Sequence, residues 1–284
     1  MTYESNISIP QIGDFLEQSK GWLRMRFPTE LDLNHNPQSA FLNLIKQIGT
    51  PVSQDDRGAL ILSVKNKSLG AEDKRTRGPN TNRKLSFHTD RCDVIAFLCL
   101  QPAMSGGENQ IVNSEEVEKT IKNERPDLHA ILCQKFPYKT HNIDPKNPLS
   151  FCEQPIFSWT ESHFACSYLR VLIDRADHDP QCPDLSPIQK CALDFLDEVC
   201  ARKELHTCFT LQSGDMLFLN NWTTLHRRTA FEDFEDPGRK RHLLRGWLSN
   251  TTALNAQQAI NLGIMKAFAQ EGIEFAFPSQ TLYL

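Results

Sequence analysis

The feature that most constrains this fold is a set of short strand-like runs on either side of a block of helices. β and α segments do not alternate evenly, as a doubly wound parallel sheet would require. The sequence also contains neither G-x-G-x-x-G nor G-x-x-x-x-G-K-[ST]. We predict a mainly β protein with helical decoration around a double-stranded β-helix (jelly-roll) core. The strand-like runs lie at 58–64, 85–87, 93–100, 109–112, 206–211, 216–219 and 242–248.

The helical block is marked by local signals in the sequence. Helices are predicted at 38–48, after Asn113 or Ser114, and from Pro126. The strongest signal begins at Ser186, which forms a capping-box pattern with Gln189. Apolar residues then recur at helical spacing to about position 202.

Size and charge favour a small partner. The chain has 284 residues, of which 39% are hydrophobic, so one domain can bury a sizeable core. It carries 31 Lys and Arg against 35 Asp and Glu, and the net charge of −4 gives no field that would hold a polyanion. No apolar run approaches the roughly 18 residues of a membrane-spanning helix. We therefore expect a small-molecule substrate, no nucleic acid and no membrane.

Nine cysteines are present, and none forms a C-x-x-C pair. An odd number cannot pair completely, and the first residues show no basic stretch followed by an apolar run. We predict mostly buried free thiols in a cytoplasmic protein.

A candidate metal site begins at His88-Thr89-Asp90. If this segment is extended, residues two apart project to the same side, so the imidazole of His88 and the carboxylate of Asp90 converge. His226 becomes the third candidate if the sheet closes into a barrel. Two histidines and one carboxylate on one face of a metal suit non-haem Fe(II), because adjacent positions stay open. An H-x-D tripeptide alone is common by chance, so the remaining motifs carry the argument.

Two arginines near the end of the predicted domain offer a place for an anion. Arg241 and Arg245 lie four residues apart on the last predicted strand, hence on one face and roughly 13 Å apart, so both guanidiniums should point into the same cavity. A buried guanidinium needs an anion and binds a carboxylate through two hydrogen bonds. A dicarboxylate cosubstrate could then reach the metal with one end and an arginine with the other.

Five motifs follow in order: H-T-D at 88–90, G-G-E-N at 106–109, G-D-M at 214–216, L-H-R-R-T-A-F at 225–231 and R-x-x-x-R at 241–245. In this order and spacing the chain resembles the TauD/TfdA family of Fe(II)/2-oxoglutarate-dependent dioxygenases, which includes clavaminate synthase-like enzymes. The resemblance covers roughly residues 50–250. It implies an oxidoreductase that uses Fe(II), 2-oxoglutarate and O2. The default reaction is hydroxylation of an unactivated C–H bond in a small molecule, with release of succinate and CO2.

The resemblance also implies roles for individual residues. His88, Asp90 and His226 are the implied catalytic ligands of Fe(II). Arg241 and Asn109 are implied to bind the distal carboxylate of 2-oxoglutarate, although the family often has threonine where this chain has asparagine. Halogenating relatives lack the carboxylate that this chain has at position 90, so halogenation is not expected.

Substrate contacts are implied for three arginines. Arg245 matches a family arginine that contacts an anionic substrate in some members, and the alternative is a surface ion pair at the strand end. The basic loop at 74–84 precedes the metal strand and in relatives can cover the substrate. Arg77 and Arg83 in this loop are therefore further candidates. The alternative for them is a solvated loop.

A tail at 251–284 follows the predicted oxygenase domain at 1–250. From position 258 its pattern predicts an amphipathic helix, a stop at Gly272 and a short strand. The tail resembles the end of small mechanosensitive channels, which assists subunit assembly, but no transmembrane helices accompany it. It is a hypothetical homo-oligomerisation element, and the alternative is a helix packed on the barrel.

Other functions stay open at this point. One is a desaturating or cyclising oxidase of the same family in secondary metabolism. Another is a non-catalytic metal- and ligand-binding barrel, against which the intact set of His88, Asp90, His226 and Arg241 argues. A zinc hydrolase with the same three ligands fits poorly, because no obvious general base stands beside the motif.

Overall fold

The computed structural model describes residues 7–28, 35–55, 57–67, 78–139, 151–160 and 163–249. Arg77 and the tail at 251–284 lie outside the described residues, and so do the predicted tail helix and strand. The α-helices are α1 (Ile12–Gln18), α2 (Pro37–Ile45), α3 (Ser114–Glu124), α4 (Pro126–Leu132), α5 (Arg170–Asp177) and α6 (Pro187–Cys200). The strands are β1 (Trp22–Arg26), β2 (Thr50–Val52), β3 (Ile61–Val64), β4 (Val94–Gln101), β5 (Ser105–Gly106), β6 (Asn109–Asn113), β7 (Lys135–Lys139), β8 (Phe151–Pro155), β9 (Phe157–Trp159), β10 (Phe164–Cys166), β11 (His206–Phe209), β12 (Asp215–Asn220), β13 (Thr224–Arg228), β14 (Phe231–Glu232) and β15 (His242–Ser249).

Two antiparallel sheets form the centre of the molecule. The larger sheet has the order β1-β12-β4-β15-β2, with β3 also paired to β15. The smaller sheet has the order β11-β6-β13. Neighbouring strands in both sheets run antiparallel. This arrangement confirms the predicted mainly β fold with a jelly-roll core.

Side-chain alternation along these strands produces three apolar layers. The inner layer lies between the two sheets and includes Ile95, Cys99, Ile111, Leu217 and Leu243. Burial of each such side chain contributes about 1.5–3 kcal/mol to stability. The outer face of the larger sheet packs on α1 and α2, and the outer face of the smaller sheet packs on α3, α4 and α6. These two layers include Leu16, Phe41, Leu98 and Phe218 on one side, and Val112, Val117, Leu128, Leu196 and Leu225 on the other.

Of two local predictions, one is confirmed and one is wrong. The predicted capping box forms at the start of α6, where the Ser186 N–H donates to Oε1 of Gln189 and the Gln189 N–H donates to Oγ of Ser186. The predicted strand at 85–87 is wrong. This segment makes only separated backbone hydrogen bonds to β13, which end in an isolated bridge between His88 and His226.

Two further features concern the hydropathy of the helices and the state of the thiols. Among the described residues, no helix has the length and hydropathy of a membrane-spanning segment. All nine cysteines are free, and five of them are buried, as predicted.

Candidate active site

The H-T-D segment is anchored on both sides by distant residues. The Thr89 side chain turns away from the ligands, and its Oγ1 accepts a hydrogen bond of 2.9 Å from the Tyr168 N–H. The Asn221 side chain accepts from the Asp90 N–H and donates to the Asp90 carbonyl, both at 2.7 Å. With the middle residue fixed on one side, His88 and Asp90 project to the other.

Strand β13 brings the third predicted ligand beside this segment. His88 and His226 exchange backbone hydrogen bonds of 3.1 and 3.0 Å, and their ring centroids lie 4.3 Å apart. One side-chain donor atom from each of His88, Asp90 and His226 lies within 4.8 Å of the other two. Nδ1 of His88 lies 2.8 Å from the Ser86 carbonyl oxygen, a contact of the kind that orients metal-binding histidines. The structure therefore assembles the predicted triad.

Asp90 is held as a carboxylate. Its Oδ2 accepts hydrogen bonds from Nη1 of Arg245 at 3.0 Å and from Nε1 of Trp247 at 3.1 Å. Burial alone would raise the pKa of Asp90. The charge of Arg245, the two histidines and the Trp247 hydrogen bond outweigh burial and lower that pKa. Asp90 thus presents a negatively charged oxygen donor at neutral pH.

His226 is a buried neutral imidazole. Burial, with a further contribution from His88, lowers the pKa of His226 to about 3. Neutral imidazole is the form that binds a metal. Nδ1 of His226 is buried and has no hydrogen-bond partner within the described ranges, although an unsatisfied buried polar atom is costly. Two imidazoles and one carboxylate are a donor set that fits Fe(II).

A second group of unpaired polar atoms lines a cavity between the two sheets. Asn109 and Arg241 contribute to its wall together with Cys99, Leu211 and Leu243. Nδ2 of Asn109 and Nη1 of Arg241 are buried, and neither has a hydrogen-bond partner in the described part of the chain. Burial lowers the pKa of Arg241 to about 10, so the guanidinium stays charged at neutral pH. One charged and one neutral donor facing a cavity fit a carboxylate.

The glycine pair of the G-G-E-N motif shapes this cavity. Gly106 and Gly107 have φ of +69° and +74°, a region that side chains other than glycine rarely adopt. A Cβ on Gly106 would lie 2.3 Å from the Ala230 carbonyl oxygen, and one on Gly107 would lie 3.4 Å from Nε of Arg241. Glycine is therefore required for the close approach of this turn to β14 and to Arg241.

The structure separates the two arginines of the R-x-x-x-R motif. Arg245 is 8% exposed, so the alternative of a surface ion pair is wrong. It lies at the metal ligands and donates through Nε to Oε1 of Gln54 at 2.8 Å. Arg241 lines the cavity described above and Arg245 does not. The prediction that both guanidiniums point into one cavity is therefore wrong. Arg241 lies just before β15, whose register with β4 shifts between His242 and Leu243, so strict strand alternation does not extend from Arg245 to Arg241.

The other predicted substrate residues are less defined. Arg83 is exposed on the segment before His88, and its carbonyl oxygen accepts a hydrogen bond from Arg228. Arg77 lies outside the described residues. Contacts of Arg77, Arg83 and Arg245 with a substrate stay predictions.

Three supporting residues were not predicted. Trp247 follows Arg245 by two positions on β15, so strand alternation was a usable signal for it. Asn221 and Gln54 contact the site from distant parts of the chain, and no local pattern in the sequence marks them.

Comparisons with known proteins agree with this geometry. The family described as "Taurine catabolism dioxygenase TauD, TfdA family" matches residues 11–247. FR-33289 synthase of Streptomyces rubellomurinus (strain ATCC 31215) is 31% identical over 208 residues, which are 71% of this chain and 60% of that protein. The chain thus spans less than two thirds of the length of this relative.

Solved structures share the fold. Asparagine oxygenase in complex with Fe(II), 2S,3S-3-hydroxyasparagine and succinate gives a TM-score of 0.62 at 17% identity, over 85% of this chain and 79% of that chain. The non-heme iron oxygenase OrfP with Fe and α-ketoglutaric acid gives a TM-score of 0.58 at 15% identity, over 84% and 79%.

The fold and the site together define a non-haem iron oxygenase class. The chain belongs to the TauD/TfdA family, whose members are oxidoreductases that use Fe(II), 2-oxoglutarate and O2. The resemblance inferred from the five motifs is confirmed.

Proposed function

We propose that this chain is an Fe(II)- and 2-oxoglutarate-dependent dioxygenase that hydroxylates a C–H bond of a small anionic molecule. The observation that carries the proposal is that one fold contains both a set of three metal-ligand candidates and a pair of buried donors without partners. The ligand atoms of His88, Asp90 and His226 lie within 4.8 Å of one another. The unpaired donors of Asn109 and Arg241 are buried beside the cavity between the sheets.

Each group of residues has one task in this proposal. His88, Asp90 and His226 hold Fe(II), and Asn109 and Arg241 hold the distal carboxylate of 2-oxoglutarate. When bound, the iron and the cosubstrate supply O2 activation, with one oxygen atom leaving in succinate and the other entering the substrate. The apolar layer between the sheets would exclude water from the inner side of the site, where His226 is buried.

An anionic substrate is favoured by Arg245. Its guanidinium is buried and pairs with Asp90 at 3.0 Å. A metal ion bound to Asp90 would neutralise much of the negative charge of that carboxylate. The positive charge of Arg245 would then be only partly compensated, and a substrate anion could compensate the rest. The structure of the related asparagine oxygenase contains a hydroxylated amino acid, which is a small molecule with a carboxylate.

The unpaired donors also weigh against one of the other functions. A zinc hydrolase has no use for the buried donors of Asn109 and Arg241, whereas a keto-dicarboxylate satisfies both. A metal-binding barrel without catalysis would bind the same ligands but release no succinate. Desaturation or ring closure would differ from hydroxylation in the product alone.

The test is anaerobic addition of Fe(II) and then 2-oxoglutarate. We expect a weak visible charge-transfer band that is lost in Asp90→Ala and weakened in Arg241→Ala. Metal-replete protein without any band would reject the proposal.

Oxygen-dependent succinate release then identifies the substrate. The panel consists of amino acids, sulfonates, aryloxy acids and betaines, with each acid compared to its amide, which lacks the negative charge of the acid group. Faster release with the acids is expected, and equal release with acid and amide would contradict an anionic substrate. The mass of the product distinguishes hydroxylation from desaturation or ring closure.

A further inference from the structure

The two adjacent arginines of the L-H-R-R-T-A-F motif face opposite sides of β13. Arg227 points to the helical layer, where its guanidinium lies 4.2 Å from the ring centroid of Phe87. Arg228 lies two residues after His226, so both project from the inner face of the strand. Arg228 is 5% exposed. The buried member of the pair therefore belongs to the space between the sheets.

The neighbouring strand β6 contributes side chains to the same inner face. His226 pairs with Ile111 and Arg228 pairs with Asn109 in the antiparallel register. Asn109 lines the cavity together with Arg241, and its Nδ2 is buried without a hydrogen-bond partner in the described part of the chain. The metal ligand His226 and the donors of Arg228 and Asn109 thus lie on the same inner face. They are separated by two residues along the strands, or about 6.8 Å. This spacing is on the scale of a five-carbon dicarboxylate.

Arg228 and Arg241 lie close together and are short of negative charge. Their guanidinium carbons lie 4.6 and 5.1 Å from the ring centroid of Phe231. Nη1 of each is buried, without a hydrogen-bond partner in the described part of the chain. The carboxylate of Asp233 interacts with both guanidiniums. One carboxylate cannot neutralise two buried cations, and uncompensated buried charge is costly.

The hydrogen bonds that Arg228 makes do not correct this imbalance. They go to the backbone carbonyls of Arg83 and Thr229, which are not anions. A second negative charge would complete the cluster.

We propose that Arg228 is a positioning residue for 2-oxoglutarate, as the second buried cation that the distal carboxylate compensates. The inference rests on the proposed function and adds a residue to it. Arg241 and Asn109 supply donors at the cavity wall, and Arg228 supplies the charge behind them. The site would then prefer dicarboxylic 2-oxo acids to monocarboxylic ones more strongly than a single arginine allows.

The test measures binding rather than turnover. Fe(II)-loaded protein is titrated anaerobically by calorimetry with 2-oxoglutarate and with 2-oxopentanoate, which has the same carbon chain without the distal carboxylate. In Arg228→Met, we expect the affinity for 2-oxoglutarate to fall by about tenfold or more, the range of a lost charge-assisted interaction. The affinity for 2-oxopentanoate should change less than twofold. Arg227→Met, the matched control on the opposite face of the strand, should alter neither.

Each result has a defined meaning. An equal loss for both acids would assign Arg228 a purely structural role, and no loss for either would also overturn the inference. Wild-type protein that binds Fe(II) but not 2-oxoglutarate would instead refute the proposed function. If Arg228→Met does not fold, Arg228→Lys and the double variant Arg228→Met/Asp233→Asn replace it. Each of these variants leaves one uncompensated positive charge in the cluster, so both should keep the preference for the dicarboxylate. Loss of that preference in either variant would overturn the inference.

Discussion

Single residues of the metal site depend on partners that are distant in the sequence. Asn221 is fully buried, and its side chain satisfies the N–H and the carbonyl of Asp90 as well as the carbonyl of Cys92, each at 2.7 Å. The chain turns after Asp90 because this one amide bridges the turn. The orientation of the metal ligands therefore depends on a residue that binds no metal.

We predict that Asn221→Ala weakens both the fold and the metal site. The substitution leaves buried backbone groups unsatisfied and should cost roughly 2–4 kcal/mol of unfolding free energy. Metal affinity should fall about 10- to 100-fold, as is common for residues that support metal ligands. Urea unfolding and Co(II) titration measure the two effects.

Asn113→Ala is the matched control for this prediction. Asn113 caps α3 by accepting from the N–H groups of Glu115 and Glu116. Its loss should cost about 1 kcal/mol and leave Co(II) affinity unchanged. Unaltered Co(II) affinity in Asn221→Ala would show that the amide does not support the ligands.

At the scale of elements, the turn between β5 and β6 determines the shape of the cavity. Gly106 pairs with Phe231 of β14, and Gly107 lies against Arg241. Strands β5 and β14 bring the G-G-E-N motif close to the guanidinium of Arg241. A small change in the turn should therefore affect both stability and cosubstrate binding.

Gly106→Ala should be more destabilising than Gly58→Ala. Both glycines have positive φ, so each substitution costs about 1–2 kcal/mol in backbone strain. A Cβ on Gly58 meets no atom within 4 Å, whereas one on Gly106 lies 2.3 Å from a backbone oxygen. This clash should add about 1–3 kcal/mol and weaken 2-oxoglutarate binding. Equal unfolding free energies for the two variants in urea would contradict this account.

At the scale of the whole molecule, β15 belongs to the packed layers that the described residues form. This strand pairs with β4 in the larger sheet, and the family match ends at residue 247. These observations support the proposal that residues 1–250 are the oxygenase domain and that 251–284 are an addition to it.

A protein truncated after Asn250 tests this division. We expect it to unfold cooperatively and to keep the charge-transfer band with Fe(II) and 2-oxoglutarate. If the tail is an oligomerisation element, the particle mass from light scattering should fall to a smaller multiple of the subunit mass. An unchanged multiple would contradict that role, and loss of cooperative unfolding would contradict the domain boundary.

Local patterns in the sequence were sufficient for part of this description. The capping box of Ser186 and Gln189 specifies the start of α6 because both partners lie within one helical turn. The strand-like runs predicted the bounds of β4, β6, β12 and β15 to within a few residues. The hairpin strands β7 to β10 were not predicted. They are only three to five residues long, which is too short for a clear alternation of apolar and polar residues.

The sequence by itself determined the motif order, the three metal-ligand candidates and the arginine of the cosubstrate cavity. Only the tertiary structure decided that Asp90 pairs with Arg245, 155 positions away, and that Asn221, 131 positions away, holds its backbone. It also decided that Arg228 is buried beside Arg241, whereas Arg227 packs on Phe87 of the helical layer. The physical reason is that residue types and spacing fix which groups are available. Closure of two sheets from distant strands fixes which groups meet and which side chains are buried.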